Sequence, residues 1–92
     1  MARRRLQVFY EGRVQGVGFR YTARRTAAGF EVTGIIRNLA DGRVELIAEG
    51  EREELVEFQQ AIRDAGLSAH IRNEKENWTD TKDDFKGFEI VG

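Results

Sequence analysis

The chain has 92 residues, 40% of them hydrophobic, with no cysteine and no proline. A chain of this size supports one small core, burying roughly two-thirds of its unfolded surface, and has no disulfide framework or thiolate chemistry. A net charge of −1 argues against a general nucleic-acid binder, and no apolar run approaches the ~20 residues of a membrane span. The start, Met1-Ala2-Arg3-Arg4-Arg5, is basic but is not followed by an apolar signal core; it reads as a cytoplasmic start with a solvated terminus. The charge is uneven. Residues 1–43 hold nine arginines and three acids, whereas residues 44–92 hold six basic and thirteen acidic residues. A positive field in the first part would draw a small anion, unless the fold interleaves the two parts.

Residues 6–11 read as a strand, with Leu6, Val8 and Tyr10 on one face. Residues 21–28 are rich in helix formers, with Tyr21 and Ala28 at helical spacing and Gly29 as a stop. A strand over 30–38 ends on Asn38, and Asp41-Gly42 then signals a hairpin into a strand over 43–49. There Val44, Leu46 and Ala48 share one face. Glu51, Glu53 and Glu54 open a second helix, whose stripe Leu55, Phe58, Ala61, Ile62 and Ala65 faces a core before Gly66. A fourth strand is expected from near Ser68, with Ala69 and Ile71 inward; residues 73–77 are polar, 78–86 read as loop, and Phe88 to Ile90 as a closing edge strand. The order predicts an α+β, ferredoxin-like α/β sandwich of βαββαβ type. Its antiparallel sheet would carry two helices on one face, with the first and third strands central and a short C-terminal edge strand. One domain over residues 1–92 accounts for the chain.

Gly12-Arg13-Val14-Gln15-Gly16-Val17-Gly18-Phe19-Arg20 lies between the first strand and the first helix. Glycines there either solve a tight turn or aim backbone N–H groups at an anion, with the helix dipole behind them. No Walker lysine follows, and the dinucleotide spacing is absent. A cation at a helix start is mildly unfavourable, so Arg20 makes most sense if an anion sits between it and the amides. Asn38 is either a turn-starting asparagine or a water-orienting amide. The lone histidine, His70, has no cysteine or acid cluster at ligand spacing and receives no metal or acid–base role.

The same stretch resembles the first signature of the acylphosphatases. Gly34-Ile35-Ile36-Arg37-Asn38, followed by Leu39-Ala40-Asp41-Gly42-Arg43-Val44-Glu45, resembles their second. The separation of Arg20 from Asn38 also agrees with that family. The resemblance implies hydrolysis of an acyl phosphate to a carboxylate and inorganic phosphate, with no metal or cofactor. Carried over, the backbones of Gln15, Gly16, Val17, Gly18 and Phe19 and the side chain of Arg20 hold the phosphoryl group, and Asn38 positions water. The expected partner is the small-molecule substrate alone, without nucleic acid or membrane, acting on a cytoplasmic monomer. A non-catalytic anion- or nucleotide-binding module of the same fold is the alternative. An RNA-binding domain lacks its aromatic motif here.

Overall fold

The computed structural model describes residues 3–92; Met1 and Ala2, the first residues of the basic start, lie outside them. The elements are β1 (Arg3–Gly12), α1 (Phe19–Ala27), β2 (Val32–Asn38), β3 (Val44–Glu51), α2 (Arg52–Ile62), β4 (Ile71–Asp80) and β5 (Phe88–Ile90). Five strands form one sheet in the order β4-β1-β3-β2-β5. β1 and β3 are therefore central among the first four strands, which pair antiparallel throughout. This is the expected ferredoxin-like arrangement, with one refinement. β5 pairs parallel with β2, from Gly34↔Phe88 to Ile36↔Ile90, so the sheet is mixed. The cause is the route of the chain. β4 ends beside Arg4, at the edge where β2 begins, so a segment that crosses the sheet from there joins β2 running the same way.

Period-two alternation buries Leu6, Val8 and Tyr10 of β1 and Val44, Leu46 and Ala48 of β3 on one face. α1 covers it with Phe19, Ala23 and Ala27, and α2 with Leu55, Phe58 and Ile62. α1 begins two residues earlier than the helix expected over 21–28, and its inward stripe is Phe19, Ala23 and Ala27. Phe19 points inward and Tyr21 is 66% exposed. The α2 stripe ends at Ile62. Ala65 is exposed in a wide turn, Arg63–Leu67, where Gly66 takes φ +90°.

Ser68–His70 then forms a single 3₁₀ turn, so β4 starts at Ile71 and Ala69 is exposed. β4 takes in the polar residues 73–77 and also Trp78, which the sequence reading put in a loop. Its polarity is answered by α2 and the turn after it. Arg63 donates to both Glu74 oxygens, at 3.0 and 2.8 Å, and Gln59 donates to Glu76 at 2.7 Å. The strand thus docks through Ile71 and Trp78 near its two ends, packed against the core, and through charge-assisted bonds between them.

The face turned away from the helices also buries acids. Gln7 and Arg37 donate to Glu45 at 2.6 and 2.7 Å. Arg5 and the Lys82 N–H donate to Glu49 at 2.9 and 2.8 Å. Burial pushes the Glu49 carboxyl up, but the Lys82 N–H and the Arg5 guanidinium outweigh it and hold its pKa below the ordinary value. Arg3, Arg4 and Arg5 belong to β1 and are not a solvated terminus. Arg5 also pairs with Asp84 at 2.9 Å, which ties the crossing segment to this face.

Candidate active site

β1 and β2 are both antiparallel to β3, so their C-terminal ends share one edge of the sheet. β1 ends at Gly12 and β2 at Asn38, and Asn38, Val44 and Tyr10 stand in one row of the register. The loop that leaves β1 therefore starts close to the end of β2. Its beginning is pinned by the Arg13 N–H, which donates to the His70 carbonyl at 2.9 Å. Val14 and Phe19 are buried and anchor its two sides, the Phe19 ring lying 4.8 Å from that of Tyr10.

Between these anchors Gly16 and Gly18 take φ +79° and +78°. Only glycine adopts this left-handed backbone without strain. No atom lies within 4 Å of where a Cβ would stand on either, so these glycines serve conformation and not close packing. Gly18 is the N-cap of α1. No side chain caps the helix, and no acid lies in its first turn. The first bond at the helix start is Thr22 N–H to Gly18 O, at 3.0 Å, leaving the Phe19, Arg20 and Tyr21 N–H groups at an open helix start. Among the described residues, the N–H groups of Gln15 to Phe19 also have no carbonyl or carboxylate acceptor.

A pocket of about 230 Å³ lies on this turn, lined by Val14, Gly16, Gly18, Phe19, Arg20 and Tyr21. No acid or histidine lines it. Arg20 is half-buried and, among the described residues, has no carboxylate within 4.0 Å. The Asn38 Oδ1 is buried with no hydrogen-bond partner among the described residues. Unpaired buried amide oxygens are uncommon because they are costly.

The hairpin beyond Asn38 closes on itself. Leu39 N–H donates to Arg43 O at 2.8 Å and Gly42 N–H to Leu39 O at 3.2 Å. The Gln15 amide nitrogen joins it from the loop, donating to Leu39 O at 2.8 Å and to Arg43 O at 2.9 Å. The sequence pattern points only to the backbone of Gln15. No local spacing reveals acceptors that lie 24 and 28 residues away. Beside the hairpin runs a larger groove of about 500 Å³, lined by Glu11, Gly12, Asp41, Arg43, Arg72 and Lys75 among others. There the backbone N–H and guanidinium of Arg43 hold the exposed Asp41 carboxyl below its usual pKa. Arg43 also lies 4.6 Å over the Phe9 ring. Among the described residues, no three His, Asp or Glu side chains are grouped to hold a metal ion, and no helix is long and apolar enough to cross a membrane.

The chain as a whole has known counterparts. A protein named acylphosphatase from Salinibacter ruber is 39% identical over 87 residues, covering 95% of this chain and 92% of that protein. Another from Trichormus variabilis is 43% identical over 89 residues, covering 94% and 84%. The crystal structure of acylphosphatase from Bacillus subtilis superposes with a TM-score of 0.88 at 30% identity, covering 97% of this chain and 99% of that one. Full-length HypF, in a phosphate- and nucleotide-bound form, gives a TM-score of 0.84 at 27% identity, covering 98% of this chain but 12% of the larger protein. The family model described as Acylphosphatase matches residues 6–90, and the chain belongs to the acylphosphatase family.

Proposed function

We propose that the backbone N–H groups of Gln15, Gly16, Val17, Gly18 and Phe19 and the Arg20 guanidinium hold the phosphoryl group of an acyl phosphate, and that Asn38 orients the attacking water. Family membership makes the chain an acylphosphatase, a hydrolase that splits acyl phosphates into a carboxylate and inorganic phosphate. One observation carries the assignment of residues: a run of unpaired N–H groups lies in the turn directly before an arginine without a carboxylate partner. Such donors, fixed before substrate arrives, stabilise charge on the phosphoryl oxygens as the transition state forms.

Water oriented by the Asn38 side-chain amide attacks phosphorus, the bond from phosphorus to the acyl oxygen breaks, and the carboxylate leaves. A carboxylate is a good leaving group and needs no protein acid. The water proton passes to a phosphoryl oxygen, since no acid or histidine lines the pocket. Positioning and charge stabilisation carry the catalysis.

The test is hydrolysis of benzoyl phosphate by the wild type, Arg20→Ala and Asn38→Ala. Each variant is expected to lose at least about 10²-fold in kcat/KM, the scale of one lost transition-state donor. Inorganic phosphate should inhibit competitively. Variants as active as the wild type would remove the residue assignments. The likeness to a small part of HypF favours a second reading, a phosphate- or nucleotide-binding module, which a wild type that binds phosphate without turnover would establish. The proposal includes a single-domain, cytoplasmic monomer. Arg72, Glu74, Lys75 and Glu76 on the β4 edge support the last point, because charged edge strands resist pairing with another sheet.

A further inference from the structure

We propose that the side chain of Gln15 is a positioning residue, which fixes the phosphate-holding loop against Asn38. This rests on the function proposed above. Gln15 Nε2 donates to Leu39 O at 2.8 Å and to Arg43 O at 2.9 Å. Both neighbours are carbonyl oxygens, so chemistry alone requires the nitrogen of the amide to face them. Neither carbonyl needs the amide to be satisfied. Arg43 O already accepts from Leu39 N–H, and Leu39 O from Gly42 N–H. The hairpin is closed by its own backbone. What Gln15 adds is a tie between that hairpin and the loop.

The loop has need of one. Gly16 and Gly18 give it a left-handed path with open space around both. Among the described residues, no backbone bond holds residues 15–17. The tie also falls at a telling place. Leu39 follows Asn38, and Arg43 precedes Val44, the register partner of Asn38. The amide therefore grips both strands directly beyond the Asn38–Val44 pair. In-line attack requires phosphorus, held by the loop, to stay at a fixed distance from water, held by Asn38. A misplacement of about 1 Å costs on the order of 10²-fold in rate. Phosphate affinity depends on the loop and Arg20 alone, whereas rate depends on the loop relative to Asn38.

Gln15→Leu keeps the bulk and removes both donors. It should lower kcat for benzoyl phosphate by about 10-fold or more, a fraction of the full misplacement cost. KM and the inhibition constant of inorganic phosphate should stay within about threefold, the mark of an interaction made in the transition state and not in the ground state. In an Asn38→Ala background the same change should cost under about threefold, because there is no oriented water left to misplace. Gln15→Glu supplies a second readout if Gln15→Leu folds poorly. Its carboxylate would face two carbonyl oxygens, so its activity relative to wild type should rise as pH falls and the protonated acid donates one bond. An unchanged kcat in Gln15→Leu, a loss confined to KM and phosphate affinity, multiplicative losses with Asn38→Ala, or a flat pH ratio for Gln15→Glu would each overturn the proposal. The underlying function is judged separately, by turnover in the wild type and its loss in Arg20→Ala; if that fails, the role of Gln15 falls with it.

Discussion

The two helices begin in opposite ways. α2 starts from Glu51 with Glu53 and Glu54 in its first turn, and Glu54 also accepts the Glu31 N–H at 2.8 Å. α1 starts from a glycine, with no acid in its first turn and Arg20 one residue in; neither helix has a side-chain cap, and α2 carries Arg52 as its own first residue. Every α-helix start presents unpaired N–H groups and a partial positive charge. The start of α2 carries acids of the chain itself to offset this charge, and that of α1 does not. Stability alone would treat the two ends alike. Their placement separates them as well: Glu51 pairs with Arg3 at the edge where β1 begins, whereas α1 follows the edge where β1 ends. On the function proposed above, the open end of α1 is where the phosphoryl group binds.

The sharpest way to break this comparison is Arg20→Ala, because activity and stability should move in opposite directions. The expected fall of about 10² in kcat/KM corresponds to about 2.7 kcal/mol of transition-state stabilisation. Removing a cation from the positive end of a helix should leave stability unchanged or raise it by about 0.3–1 kcal/mol. Thermal melts of the variant used for kinetics provide the check. Added phosphate should raise the melting temperature of the wild type more than that of the variant, since only binding to the native state stabilises it. A variant that loses stability along with activity would make Arg20 a structural residue like Arg5.

Tyr21→Glu gives α1 what α2 already has. Tyr21 is exposed and lines the pocket beside Arg20, so the substitution disturbs no core packing. The new carboxylate should pair with the helix start and with Arg20, competing with phosphate. The expected result is a phosphate inhibition constant raised by about 10-fold, roughly 1.4 kcal/mol, together with a small gain in melting temperature. Unchanged phosphate affinity would show that the anion does not sit at this helix end.

Much of this arrangement was legible in the sequence, for identifiable reasons. Leu6, Val8 and Tyr10, and Val44, Leu46 and Ala48, recur at every second position because the helices cover that face of both strands. The acids that open α2 and the Asp41-Gly42 turn are local signals, carried by adjacent residues. What failed to show was non-local. Glu74 and Glu76 look unsuited to a strand until Arg63 and Gln59 come to meet them. Arg5 looks solvated until Glu49 stands beside it on β3. The inward face of α1 is carried by Phe19 and two small alanines, Ala23 and Ala27, too weak a stripe to outweigh Tyr21, which is exposed. At the site, the glycines and Arg20 formed a visible pattern. The amide of Gln15 did not, because its acceptors lie on a different hairpin.

The smallest effect belongs to the helix end that needs no ligand. Glu54 both neutralises the start of α2 and accepts the Glu31 N–H just ahead of β2, and two substitutions separate these contributions. Glu54→Gln keeps an acceptor oxygen and loses the charge, so it should cost about 0.5 kcal/mol, the helix-end electrostatic share. Glu54→Ala also leaves the N–H without this partner and should cost about 1.5 kcal/mol. Raising the salt concentration should shrink the first cost more than the difference between the two, because screening acts on the charge. Chemical denaturation at two salt concentrations measures both. Neither variant should change kcat/KM for benzoyl phosphate by more than about twofold, since substitutions far from a site act locally. A loss of activity on the scale of Arg20→Ala would mean that the two ends of the sheet are coupled, and that α2 serves the site as well as the fold.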